Sequence, residues 1–290
     1  MEFTVNENNQ YRRIDKFLRN QLKNVPLSEI YKFIRTGKVL VNEKVVKKPQ
    51  YEIDTGDRID VLIDLSIYGR KKNELAPVPL KLDIIYEDQN ILVINKKAGI
   101  ALHPSERTKS TTLIQGLLFY GNTKGFEPHL VHRLDRDTSG VLIVAKNLRT
   151  ARTLSRMFRE RLVEKEYISL VFGKPKDHGI IDTPLDDFEA ITEYRTLEHF
   201  GDSTLVSVLL HTGRTHQIRR HFAMIGNPVV GDTLYGDKRV NTFYRQQYGL
   251  RRQFLHCIRV SFTNPSEPGK LQLKAPLGED LEEVLRRLRM

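Results

Sequence analysis

The chain has 290 residues, 39% hydrophobic and 29% charged, which is globular composition and enough length for about two domains. No stretch approaches the roughly 18 to 20 consecutive apolar residues of a membrane span, and MEFTVNENNQ lacks the basic-then-apolar order of a signal peptide, so no membrane role and a cytoplasmic location are expected. One cysteine, Cys257, excludes an intrachain disulfide or a cysteine-rich metal cage and reads as a small core residue. A net charge of +11 points to a polyanionic partner, with solubility as the plainer alternative.

The charge is unevenly placed: between residues 11 and 50 there are eleven Lys and Arg against three acidic residues. The segment opens with YRRIDKFLRNQL, in which Ile14, Phe17, Leu18 and Leu22 recur at helical spacing and leave Arg12, Arg13, Lys16, Arg19 and Lys23 on other faces. Val25-Pro26 breaks this helix. Ser28 is the candidate N-cap of a second one, with Ile30, Phe33 and Ile34 on one face, Lys32, Arg35 and Lys38 along another, and Gly37 as the stop. Short β-branched runs separated by Asn-Glu and Thr-Gly-Asp turns then predict a small sheet.

RRIDKFLRNQL, SEIYKFIRTGKVLVN and TGDRIDV resemble the S4-type RNA-binding domain over residues 11–64. That resemblance implies that Arg12, Arg13, Lys32, Arg35 and Lys38 meet RNA phosphates, which orient a nucleic acid without reading its sequence. Residues 65–79, LSIYGRKKNELAPVP, read as a linker. From residue 80 to 290 short β-forming runs dominate (ILVI, VLIVA, YISLVF, TLVSVLL, LHCIRVSF, LQLKA), interrupted by helical stretches near 150–162 and 215–226. Their irregular order predicts an α+β domain around a large, mainly antiparallel sheet.

Within HRLDRDTSG, residues 132–140, Asp135 lies between Arg133 and Arg136 just ahead of an apolar strand. Such a cluster is commonly a solvated ion pair. Here His132 and Leu134 give it an apolar side, and a carboxylate at the lip of a central strand would be both held and reachable. In HTGRTHQIRRHFAMIGNPVVGD, residues 211–232, His211, His216 and His221 recur every five residues, a spacing that does not share a helix face, so no metal site is expected. Arg214, Arg219 and Arg220 suit phosphate or carboxylate contacts. Tyr167 in KEYISLVFG would pass for packing on its own.

Together YEDQNILVINKKAGIALHP, LVHRLDRDTSGVLIVAK, KEYISLVFG, TGRTHQIRRHFAMIGNPVVGD and FLHCIRVSF resemble the RluA-type pseudouridine synthases, on the RluC branch that modifies large-subunit ribosomal RNA. One departure is Lys97-Ala98, where the family carries a proline after the first lysine, and it concerns a local turn. The resemblance implies an isomerase that detaches uracil from its ribose and rejoins it through C5, with no cofactor. It makes Asp135 the catalytic carboxylate, Arg219 its partner in preference to Arg214, and Tyr167 the ring that stacks on the base and can move the C5 proton. The carboxylate's target, ribose or base, stays open. Arg133 would fill the gap left by a flipped base or hold a phosphate, as Arg214 could, while Asp137, Thr138 and Ser139 would fix the loop through side-chain to backbone hydrogen bonds. The expected partner is ribosomal RNA and the expected state a monomer. The alternatives are a non-catalytic RNA-binding or ribosome-assembly protein with the same fold and, more remotely, a base-excising glycosidase.

Overall fold

The computed structural model describes residues 1–6, 12–22, 25–63, 75–104, 110–265, 267 and 269–290. Lys23 and most of the segment expected as a linker, up to residue 74, lie outside the described residues. The chain forms two compact units, Met1–Leu75 and Ala76–Met290.

In the first unit, α1 (Ile14–Gln21) and α2 (Leu27–Arg35) pack on a small antiparallel sheet of β1 (Glu2–Thr4), β2 (Val39–Val41), β3 (Lys44–Val46) and β4 (Arg58–Val61), in the order β1-β4-β2-β3. Ile14, Phe17, Leu18, Ile30, Phe33 and Ile34 are buried with Val39, Val41, Ile59 and Val61. The helical periodicity therefore supplies one side of this core and the strands the other. Ser28 is not the N-cap of α2: Pro26 takes that place with no side-chain cap. Its fixed φ of −56° and ψ of 142° end the extended chain, and its carbonyl accepts from Glu29 and Ile30 at 3.0 and 3.1 Å, leaving Ser28 in the first turn. Gly37, at φ +71°, stops the helix. Arg12, Lys32, Arg35 and Lys38 are exposed, while Arg13 is half-buried and bonded to Asp15 at 2.7 Å.

The second unit is built on a mixed sheet of β5 (Ile84–Glu87), β6 (Ile91–Lys96), β7 (His129–Leu130), β8 (Ser139–Ala145), β9 (Glu164–Phe172), β10 (His178–Ile181), β11 (Thr192–Phe200), β12 (Ser203–Leu210), β13 (Leu255–Thr263) and β14 (Lys270–Lys274). The order is β10-β11-β12-β9-β13-β8-β6-β5, with β14 on β13 and β7 on β8. Only β8 and β13 pair in parallel among the described strands, so the α+β class with a large, mainly antiparallel sheet holds. All seven residues of β8 are buried. Where β8 meets β13 the backbones approach so closely that a Cβ on Gly140 (φ +117°) would sit 2.2 Å from the Cys257 carbonyl oxygen. Only glycine fits there.

Five helices, not two, belong to this unit among the described residues: α3 (Leu113–Lys124), α4 (Leu148–Arg159), α5 (Gln217–Met224), α6 (Lys238–Tyr248) and α7 (Glu279–Leu288). The sequence LIQGLLFYGNTK hides α3 because its apolar residues lie all round the helix, with Gly116 among them and Gly121 after them. A capping box of Thr112 and Gln115 starts it nonetheless. KRVNTFYRQQY hides α6 because it buries only Tyr244. In α7 the spacing of Leu281, Val284 and Leu285 does carry the helical signal, and all three are buried.

Candidate active site

The loop 132–138 leads into the start of β8 and is held from three sides. Thr138 N donates to Asp135 O at 3.2 Å, closing a turn. From the end of β6, Lys96 Nζ donates at 2.9 Å to the carbonyls of Lys97, Arg136 and Thr138, so its three N–H groups meet three acceptors. Burial pushes this ammonium down to about 7, whereas the three carbonyls favour its charged form. The Lys97-Ala98 turn is still made, with Gly99 at φ +84° donating to Arg136 O at 2.9 Å.

Asp137, Thr138 and Ser139 do not fix the loop through local side-chain to backbone bonds. Asp137 pairs with Arg136 at 2.9 Å, Thr138 Oγ1 accepts from Gln253 at 2.7 Å, and Ser139 Oγ bonds His256 Nδ1 at 2.9 Å and accepts from Arg252 at 3.1 Å. The chain is entering the sheet beside β13, so the hydroxyls face the neighbouring strand and not their own amides. His132 fills a gap between the partners of β8: Ile143 N donates to its Nε2 at 2.8 Å and its ring stacks on Phe158 at 4.6 Å. Burial, reinforced by Lys165, pushes His132 down to about 3, which keeps it the neutral acceptor this bond requires.

Neither flanking arginine bonds Asp135. Arg133 is exposed, Arg136 is taken by Asp137, and the contact comes from α5, where Arg219 Nη1 donates to Asp135 Oδ2 at 2.9 Å. The same guanidinium grips buried Asp232 through Nε at 2.6 Å and Nη2 at 2.8 Å and lies 5.2 Å from the Tyr235 ring. Burial alone would raise the Asp232 carboxyl, but hydrogen bonds from Arg219 and from the amides of Leu234 and Tyr235 outweigh it and hold its pKa low. Arg219 is raised above its ordinary value: burial opposes the charge, and the two carboxylates more than compensate. His216, the N-cap of α5, adopts the left-handed region at φ 54°. Its Nδ1 bonds the Tyr235 hydroxyl at 3.1 Å and its Nε2 stands 3.7 Å from Asp135 Oδ1.

Asp135 lies on the wall between two cavities, of about 500 Å³ and about 1090 Å³, both of which Arg133, His216 and Arg219 also line. The smaller falls within the usual range of a small-molecule pocket and holds Tyr167, Lys165 and Arg214 as well. Tyr167, on β9, is 6% exposed, and burial followed by the adjacent Cys257 thiol raises its hydroxyl well above the ordinary value. Arg214 donates to Glu189 O at 2.9 Å and stands 5.2 Å from the Phe188 ring. Arg220 is turned away to Asp186 at 2.8 Å. The three histidines have separate partners: His211 takes Glu193 at 2.8 Å, His216 takes Tyr235, and His221 Nε2 donates to Thr183 O at 3.0 Å.

Asp135, Tyr167, Arg219, Arg133 and Arg214 thus share one site. Arg12, Arg13, Lys32, Arg35 and Lys38 belong to the first unit. Sequence reasoning quoted Lys96, Lys165 and Asp232 within its motifs but gave them no role. A lone Asp after a Val-Val-Gly run, with arginines a few turns upstream, was a readable sign of a buried ion pair. Arg252 and Gln253, ahead of β13, carried no such sign.

Residues 90–224 match the family of RNA pseudouridylate synthases, and residues 12–59 match the S4 domain. The chain is 37% identical, over 98% of its length, to the ribosomal large subunit pseudouridine synthase C of Vibrio cholerae, 96% of which is covered. It is also 37% identical to the protein of the same name in Escherichia coli, covering 96% of this chain and 93% of that one. The solved structure of human RNA pseudouridylate synthase domain containing 4 matches 71% of this chain and 93% of its own, with a TM-score of 0.62 and 25% identity. The chain therefore belongs to the RNA pseudouridylate synthase family and carries an S4 domain ahead of its catalytic domain.

Proposed function

We propose that this pseudouridine synthase acts on uridine in structured RNA of the large ribosomal subunit, as a monomer in the cytoplasm, with Asp135 as its catalytic carboxylate. The observation that supports this best is the placement of Asp135: a carboxylate on the wall between two cavities, held by a guanidinium that is itself fixed by Asp232. A carboxylate so oriented needs little reorganisation when charge develops at the ribose. The names of the two bacterial relatives support the choice of RNA.

The target uridine must leave its stack, at a cost of a few kcal/mol, to reach the smaller cavity. There the ring of Tyr167 receives the base, Asp135 acts on the nucleoside as nucleophile or base, and Arg219 orients it. Arg133 and Arg214 line the same cavity and serve the phosphates or the space vacated by the base. Arg12, Arg13, Lys32, Arg35 and Lys38 contribute sequence-independent phosphate contacts. The atoms rearrange without oxidation or net hydrolysis, so the chemistry calls for no cofactor.

Mapping pseudouridines in large-subunit ribosomal RNA from cells with and without this protein tests the substrate. Loss of modification at one or more uridines is expected, and an unchanged map contradicts the reading.

A further inference from the structure

Six cationic side chains line the smaller cavity; Arg133 and Arg159 are exposed, and three of the others are committed. Arg219 holds Asp135 and Asp232, Arg214 donates to Glu189 O, and Arg161 is paired with Glu189. Lys165 is different. It lines the cavity from β9, is half-buried, and has no hydrogen bond or ion pair among the described residues. Burial lowers its pKa, with Arg161 adding to the effect and Cys257 opposing it. A partly desolvated ammonium without an acceptor is costly unless a ligand supplies one.

Lys165 and Tyr167 are two positions apart on one strand, so they share a face. At about 3.3 Å per residue their side chains start about 7 Å apart. A pyrimidine stacked on the Tyr167 ring therefore presents its edge to the Lys165 ammonium. Cleavage of the N1–C1′ bond sends its electron pair to the base, where resonance spreads the charge over N1, O2 and O4. Adding a carboxylate to C6 of the base instead also places charge on a carbonyl oxygen, O4. From this juxtaposition we infer that Lys165 is a further catalytic residue, whose ammonium donates a hydrogen bond to a uracil carbonyl oxygen and stabilises the anionic base while it is detached from ribose.

The lysine keeps its proton throughout. When C5 joins the ribose carbon, the electron pair returns to the new bond, C5 gives up its proton and N1 takes one, so the sum remains an isomerisation. A fixed donor at a developing oxyanion contributes about 10²- to 10³-fold in rate.

This inference rests on the proposed reaction, and its test separates the two. The full chain is assayed in single turnover on large-subunit ribosomal RNA transcribed with uridine tritiated at C5, following tritium release. Lys165→Met, checked for folding by thermal melting, is expected to lower the rate constant about 10²- to 10³-fold while the RNA Kd stays within about twofold. Lys165→Cys should be equally slow and should regain most of its rate on aminoethylation, which rebuilds an ammonium of similar reach. Cys257, with 0% exposure, is shielded from the reagent. A Lys165→Met rate within about threefold of wild type overturns the role, as does a loss confined to Kd with a shallower salt dependence, the signature of a phosphate contact. If the Met variant does not fold, failure of aminoethylation to restore the Cys variant overturns it. Wild-type protein that releases no tritium would instead overturn the choice of substrate.

Discussion

Arg219 and Asp232 are joined by two parallel hydrogen bonds, Nε to Oδ2 at 2.6 Å and Nη2 to Oδ1 at 2.8 Å, which leave Nη1 free to reach Asp135. Asp232 is fully buried and anchors the arginine to the protein, while Asp135 is 18% exposed at the cavity wall. The pair thus converts a flexible side chain into a fixed donor. Its fork geometry is one that lysine cannot reproduce.

Asp232→Asn should lower stability at neutral pH by about 3 kcal/mol, because it leaves a buried guanidinium short of its counter-charge. The Asp232 carboxyl is held below its unfolded value, so its contribution is present above about pH 4 and is lost as pH falls through the folded value. Urea unfolding from pH 7 to pH 2 should show a shallower acid loss in the variant than in wild type. Equal acid limbs would contradict the assignment.

His256 gives a second pH dependence, in a different window. Its Nε2 donates to Ala275 O at 3.2 Å, and in the neutral ring Nδ1 accepts from Ser139. Burial pushes its pKa down to about 4. The unfolded state binds a proton near pH 6.5 and the folded state does so only near 4, hence stability is full above 6.5 and falls by about 3 kcal/mol between those limits. His256→Gln should remove that slope from wild-type unfolding curves measured between pH 4 and 7. A slope unchanged by the substitution would count against a neutral buried His256.

Tyr167→Phe keeps the ring and its burial but removes the hydroxyl. RNA binding should change by less than about twofold, and turnover should fall on the order of 10²-fold if the hydroxyl moves the C5 proton. Burial holds the phenol in its protonated form, so any proton it accepts must be passed on in the same step. Tritium release at the wild-type rate would confine Tyr167 to stacking.

The exposed cations of the first unit predict a salt effect. Replacing Lys32, Arg35 and Lys38 with alanine should weaken RNA binding and reduce the slope of log K against log salt by up to about three. Filter binding between 50 and 200 mM salt measures this, and an unchanged slope would exclude α2 and the turn after it as an RNA contact.

What the sequence disclosed followed the kind of signal each residue leaves. Ile14, Phe17 and Leu18 announced α1 by spacing, and the Val-Leu-Ile-Val run announced the central strand β8. LIQGLLFYGNTK announced nothing, because its apolar residues have no single face and the helix is fixed by tertiary contacts and a capping box. In the site, Asp135 was legible from its charged and turn-forming neighbours. Lys96, which holds the carbonyls of Arg136 and Thr138 some forty residues downstream, was not, since a lysine at the end of a strand ordinarily faces solvent. Its burial is a consequence of strand order that appears only when β6 lies beside β8. The bonds of Thr138 and Ser139 to Gln253 and His256 arise in the same way, from the neighbouring β13 and the residues just ahead of it.

The central claim is that Asp135 carries the chemistry while other groups bind and orient the RNA, and Asp135→Asn tests it most directly. The variant keeps the shape of the side chain and an oxygen for Arg219. Incubated with unmodified large-subunit ribosomal RNA, it should bind with a Kd within a few-fold of wild type and form no pseudouridine at any position that wild type converts. Pseudouridine formed by Asp135→Asn at the wild-type rate would contradict the account.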